Sequence, residues 1–207
     1  MENSWAQPLT LANCVFEFNH AEGASNVFNG GGAIYNDATQ LAAVNCLFSE
    51  NDSDSVGGAG NIKWSLDGVY LINCTFVNNQ SQQKTGADLY VWNNSNLTVT
   101  NCIAWSEGGK TIDSDGGCNI TVSHSCIRGG HAGRANIQTD PRFVGNSPSK
   151  FLLSKDSPCV NAGDSFAVPT DNVDLDQDGD ITELIPLDLS AKPRQVGGVD
   201  IGAYESQ

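Results

Sequence analysis

The most conspicuous chemistry in this chain is carboxylate chemistry. Seven acids fall between 171 and 188: Asp171, Asp174, Asp176, Asp178, Asp180, Glu183 and Asp188. Asp174, Asp176 and Asp178 alternate and Gly179 follows. That is how a calcium-binding loop opens, with hard oxygen ligands at every second position and a glycine for the sharp turn. Ile181 takes the apolar eighth position. The twelfth is Ile185, where a bidentate glutamate belongs, so Glu183 is the substitute on a shorter loop. The expectation is a structural Ca2+ held by Asp174, Asp176, Asp178, Asp180 and Glu183; the alternative is a solvated acidic loop.

A second constellation lies in three glycine-led stretches, 31–36, 60–64 and 86–91. If Ile34, Ile62 and Leu89 point inward, strand alternation turns Tyr35, Lys63 and Tyr90 outward. Asn61 and Asp88 flank them, and Asp113 continues the row. Exposed aromatics beside amides and carboxylates suit sugar rings, whose CH groups pack on the ring face while their hydroxyls bond the polar groups. Ordinary pairing of surface neighbours is the alternative. The third candidate is basic: Arg128, His131, Arg134 and Arg142 hold three of the chain's four arginines. Such a patch suits uronate or sulfate, and Arg128 and Arg134 are the residues a polysaccharide lyase would use. Pairing with the acidic tail is the competing reading. The chain has no G-x-S-x-G, H-E-x-x-H or phosphate-loop motif. His20, His124 and His131 have no evident nucleophile beside them, and no catalytic residue is assigned.

Composition narrows the classes. A net charge of −14 and a pI near 4.2 argue against nucleic acid and anionic lipid as partners. No apolar run reaches the ~18 residues of a membrane span. No charged-then-apolar leader opens the chain. Asn, Ser, Gly and Val outweigh the strong helix formers, which favours strands. Seven cysteines without a C-x-x-C pair disfavour a zinc site.

The elements that would position these residues show in a repeat. Asn-Cys recurs at 13–14, 45–46, 73–74 and 101–102, and Phe-x-x-Asn follows at Phe16, Phe48 and Phe76. Alternating stretches precede each pair: Leu9 and Leu11, Leu41 and Ala43, Val69 and Leu71, Leu97 and Val99. The inward phase is odd before Asn13 and even after it, and the same flip recurs at Asn45, Asn73 and Asn101. A strand that changes face at one residue has turned a corner, and asparagine tolerates the left-handed backbone a corner needs. With the glycine-led strand, each unit of about 28 residues has three short strands and three flat sides. Stacked units pair in parallel, about 4.8 Å apart, and raise columns of cysteine, phenylalanine and asparagine. In the fifth unit Ser123-His124-Ser125 precedes Cys126, which implies a bulge. Cys14, Cys46, Cys74, Cys102 and Cys126 are read as packed thiols. Cys118 and Cys159 are either bridged to each other or two unrelated buried thiols.

These repeats resemble a right-handed parallel β-helix of bacterial extracellular proteins. Gly31-Gly32-Ala33-Ile34 and the Phe-x-x-Asn triplets resemble the repeats of chlamydial polymorphic outer-membrane proteins. Asp140-Pro141-Arg142-Phe143, Ser157-Pro158-Cys159-Val160-Asn161-Ala162-Gly163-Asp164, the Asp-rich loop, Pro193-Arg194 and Val199–Glu205 resemble bacterial surface β-helix proteins called choice-of-anchor Q. That likeness implies a secreted, surface-anchored parent, and this chain, without leader or anchor, is read as a piece of it. The expected fold is an all-β solenoid of about five coils over 1–150. An Asp-rich segment, 151–207, packs on or caps it, with Val199–Glu205 as a closing strand. The expected role is a non-catalytic, polysaccharide-facing, calcium-stabilised surface module. A polysaccharide lyase and a structural spacer or adhesin stalk are the alternatives. An open first coil further implies end-to-end association or missing upstream coils.

Overall fold

The computed structural model describes residues 9–23, 30–145, 150–172 and 174–207. The chain is an all-β parallel solenoid with four sheets. The first sheet stacks β1 (Leu9–Ala12), β5 (Leu41–Val44), β9 (Val69–Ile72), β13 (Asn96–Thr100) and β16 (Asn119–Ser123). The second stacks β2 (Val15–Glu17), β6 (Leu47–Ser49), β10 (Thr75–Val77), β14 (Ile103–Trp105) and β17 (Cys126–Ile127). The third is short: β3 (His20–Ala21), β7 (Asp52–Ser53) and β11 (Gln80–Ser81). The fourth holds β4 (Ile34–Asp37), β8 (Gly60–Lys63), β12 (Leu89–Trp92) and β15 (Ile112–Ser114). Counted from β1, three turns carry all four strands. The fourth lacks its third-sheet strand and the fifth has two strands. Each regular turn therefore has four sides rather than the three read from the sequence, because Phe-x-x-Asn leads into a further two-residue strand.

The bends are left-handed, as the asparagines implied. Asn13, Asn45, Asn73 and Asn101 have φ of 49°, 51°, 50° and 56°, and His124 takes the same place at 46°. Inside, Phe16, Phe48 and Phe76 stack with ring centroids 4.9 and 4.6 Å apart. Beside them the Phe-x-x-Asn amides form a ladder: Asn51 Oδ1 accepts from Asn19 N and Nδ2, and Asn79 Oδ1 from Asn51 N and Nδ2. Each rung satisfies two donors of the rung before it, which is what a buried amide requires.

His124 also corrects the fifth turn. Thr100 pairs with Ser123 and Ile103 with Cys126, so no residue is extra and no bulge forms. Ser125, whose Oγ accepts from Cys102 N, continues the cysteine column. Cys126 faces outward instead, into a cluster with Ile103, Leu153, Cys159 and Ile201.

The tail lies along the flank of the stack. It covers the outward face of the second sheet with Phe143, Phe151, Leu153, Ile201 and Tyr204. The corner asparagines hold it: Asn101 bonds Asp164, Asn45 Nδ2 donates to Leu187 O and Asn13 Nδ2 to Asp188 O. Residues 199–205 form no closing strand; the segment is irregular, with bends at 201–203. Gly202 N donates to Asn101 O and Ala203 N to Thr75 Oγ1. Arg194 is fully buried beneath this run, donating to the carbonyls of Asp200 and Gly202.

Candidate functional site

The glycine-led strands put Tyr35, Asn61, Tyr90 and Asp113 in one outward row and Asp37, Lys63 and Trp92 in the next. Lys63 therefore does not stack with Tyr35 and Tyr90. Ile62 is level with Asn36 and Val91, and Gly60 is level with Ile34 and Leu89. The equal spacing of Ile34 to Cys46 and Ile62 to Cys74 misled, because the corner between β8 and β9 (residues 64–68) is two residues longer than that between β4 and β5 (residues 38–40).

Three of the residues expected on this surface are not available to a ligand. Asn61 is fully buried, its Oδ1 accepting from Trp92 Nε1 at 2.8 Å. Gly30 lies against it: a Cβ there would stand 2.1 Å from Val56 O and 3.0 Å from Asn61 Nδ2. Tyr90 packs with Val56 and Trp92. Asp88 is not on the surface at all. Its Oδ1 ends the interior amide ladder, accepting from Asn79 Nδ2 at 2.8 Å and Ser106 Oγ at 2.5 Å. Burial pushes its carboxyl up to about 7, against the lowering effect of those two hydrogen bonds.

What remains outside gathers at the lengthened corner. Trp64 is 51% exposed with φ of 51°, a conformation that is uncommon for a bulky residue. Leu66 is 65% exposed and Tyr35 43%. Tyr70 folds back over the corner, its hydroxyl donating to Asp67 O at 3.5 Å. Lys63 is the hub. Its Nζ stands 4.0 Å from the Trp64 ring centroid, 5.5 Å from Trp92 and 5.9 Å from Tyr35, and 3.0 Å from Asp37 Oδ2. The Asp37 hydrogen bond raises the ammonium's pKa, so the side chain is a cation at neutral pH. The corner thus presents aromatic faces and one carboxylate, set around a cation that is itself only 9% exposed. Trp64 and Asp37 were missed in the sequence; the signal was the extra pair of residues in one corner of a regular repeat.

The acidic loop leaves the tail at an antiparallel bridge between Thr170 and Leu184. Asp174, Asp176 and Asp178 do converge, with one oxygen from each within 4.8 Å of the others. Asp180 and Glu183 do not join them. Asp180 Oδ1 is engaged by the N–H and hydroxyl of Thr182, which lower its pKa. Glu183 belongs to a second triplet with Asp171 and Asp176, again within 4.8 Å. Partial burial and the neighbouring acids Asp176, Asp178, Asp180 and Asp171 raise its pKa.

The sequence matches the family described as right handed beta helix region over residues 1–145, well over half of the chain. The chain belongs to this family. No curated protein and no solved structure matches it.

On the β-helix the basic segment does not act as one patch. Arg128 pairs with Glu107 at 2.9 Å and stacks on Trp105. Arg142 Nη1 donates to Asp156 O. Arg134 is exposed and serves the fold through its carbonyl, which accepts from His124 N. Arg128 and His131 do share the rim of a cleft of about 560 Å3, with Lys110 and Asp113, below the last rungs of the β-helix. Arg134 is not among its lining residues. Cys118 and Cys159 are not partners either: Cys118 lies 3.6 Å from Asp115 Oδ1, whereas Cys159 is packed with Cys126. All seven cysteines are free thiols.

Proposed function

We propose that this chain is a non-catalytic, carbohydrate-facing module of an extracellular bacterial surface protein, and that it meets its glycan at the corner of Tyr35, Lys63, Trp64 and Tyr70. The observation that carries the reading is Trp64. A bulky aromatic held in a left-handed conformation costs about 1–2 kcal/mol, and here half of it faces solvent rather than a core. Beside it stand a second exposed ring and an ammonium–carboxylate pair, the mixture that stacks on a sugar face and bonds its hydroxyls. The extracellular setting is supported by the resemblance of the tail motifs to bacterial surface proteins. A glycan array followed by titration calorimetry tests the proposal. Binding should fall at least about tenfold in Trp64→Ala and in Tyr35→Ala, both exposed positions whose loss leaves the fold intact. An array without signal overturns it and leaves the β-helix as a spacer.

A second reading rests on the cleft at the last rungs. Lys110, Arg128 and His131 around a concave site suit an acidic sugar, the setting a uronate lyase would use. Unsaturated product absorbing near ~235 nm, the chromophore of a new C=C–carboxylate, together with its loss in Arg128→Ala, would favour this reading over the first.

A further inference from the structure

We infer that Asp171, Asp176 and Glu183 form a binding site for a hard divalent cation, Ca2+ by their chemistry, at the neck of the acidic loop. One carboxylate oxygen from each lies within 4.8 Å of the other two. That is the span two ligands would have on opposite sides of a Ca2+ at about 2.4 Å each. Proximity of acids alone is common on an acidic surface. What sets this triplet apart is Asp171, which is fully buried. Its Oδ2 accepts from Leu175 N at 2.7 Å, but its Oδ1 is buried with no hydrogen-bond partner. Glu183 Oε1 is buried and unpartnered too. A buried carboxylate oxygen without a donor is costly, and carboxylates this close to one another repel. A dication satisfies both at once.

The backbone brings these residues together. Asp171 N donates to Glu183 O at 2.8 Å, just inside the Thr170–Leu184 bridge, so the two side chains start from adjacent points on the neck. Asp176 returns from the loop to close the triangle. The other convergent triplet lacks the distinguishing feature: Asp174 Oδ1 accepts from Gly179 N and Asp178 Oδ1 from Asp180 N. Asp176 is common to both, so one ion is assigned. On this assignment the calcium-loop pattern points to the right segment, but Asp171 precedes the pattern and Asp174, Asp178 and Asp180 lie outside the triplet that contains the buried carboxylate. The neck abuts the stack through Ile185 and Leu175, packed with Val44, Ile72 and Val199. The ion therefore fastens the loop to the flank of the solenoid, independently of any glycan.

The test is calorimetric titration of the chelator-treated chain with CaCl2, with NaCl of matched ionic strength and MgCl2 as controls, alongside thermal melts. The expected result is one Ca2+ per chain with a Kd of about 10⁻⁴–10⁻³ M, and a Tm raised by about 3–6 °C at roughly 5 mM Ca2+. Asp171→Asn and Asp176→Asn should each abolish the heat and the shift, while Asp178→Asn and Asp180→Asn keep both. Asp176 is exposed, so that variant folds even if Asp171→Asn does not. No saturable heat, a shift equal to that in NaCl, or binding lost in Asp178→Asn but kept in Asp176→Asn would overturn the assignment.

Discussion

Asn101 grips both backbone polar groups of Asp164: its Nδ2 donates to Asp164 O at 3.0 Å and its Oδ1 accepts from Asp164 N at 2.7 Å. The pair joins the fourth turn of the solenoid to the tail across 63 positions of sequence. One side chain thus does two jobs. It makes a left-handed bend tolerable and it clips the tail to the stack. Asn73 has nearly the same backbone, φ 50° against 56°, yet both polar atoms of its amide are buried without a hydrogen-bond partner. The two jobs can therefore be separated. Asn101→Gly keeps the bend and loses the clip, and should destabilise by about 1–3 kcal/mol. Asn101→Ala loses both and should cost about 1 kcal/mol more. Asn73→Gly should be near neutral or stabilising. Urea melts of the three variants measure this. Equal losses at 73 and 101 would mean that the clip contributes nothing.

What the sequence made legible and what it hid follow from the same geometry. The bends were readable because a change of inward phase at one residue has a single cause, and Asn13, Asn45, Asn73 and Asn101 all carry it. The fifth turn was misread because cysteine was taken as the marker, whereas the backbone needs only a residue that accepts a left-handed bend. His124 supplies it, and the small inward residue after it is Ser125. The fourth sheet was misread as having a wet outer face. Runs such as Cys46-Leu47-Phe48 and Leu89-Tyr90-Val91-Trp92 are apolar on both faces, the mark of a strand covered on both sides. The tail does the covering in the second sheet, and no local pattern shows where a tail lies. The candidate ligand surface, on the fourth sheet, shrank because Tyr90 and Trp92 pack with Val56 and Asn61 bonds Trp92. Tyr35 stayed at the surface; Lys63, at 9% exposed, is buried almost as far as Tyr90 at 8%, and Asn61 and Asp88 went fully inside.

The thiols give a test of the column. Cys46, Cys74, Cys102, Cys126 and Cys159 are fully buried, while Cys14 and Cys118 are partly accessible. Desolvation raises the pKa of Cys14 and of Cys118, so even these two are slow nucleophiles. Brief alkylation of the native chain followed by peptide mass spectrometry should label Cys14 and Cys118 alone, and all seven after denaturation. Early labelling of Cys126 would show that it does not face the tail. Cys159→Ser should expose it, because the tail would lose a contact in the cluster that covers β17.

Asp88 sets the sign of a pH effect. Its carboxyl is raised from 3.8 to about 7 by burial, and Glu205, buried within the tail, is raised from 4.5 to about 7, again chiefly by desolvation. A carboxyl whose folded pKa lies above its unfolded value binds its proton more tightly in the native state. The stability it contributes is complete below about pH 4 and is lost as pH rises to about 7, at up to ~1.4 kcal/mol per pH unit for each group. The chain should therefore be more stable at pH 5 than at pH 8. Repulsion within a chain of net charge −14 pushes the same way, so the total slope does not isolate Asp88. Asp88→Asn does. The amide keeps an acceptor for Asn79 and Ser106 and cannot ionise, so the variant should gain on the parent steadily from pH 4 to pH 7 and run parallel to it above. Denaturant melts at four pH values in chelator would show this. Parallel curves throughout would mean that Asp88 is ionised in the fold at pH 5 and that the amide ladder ends on a buried charge.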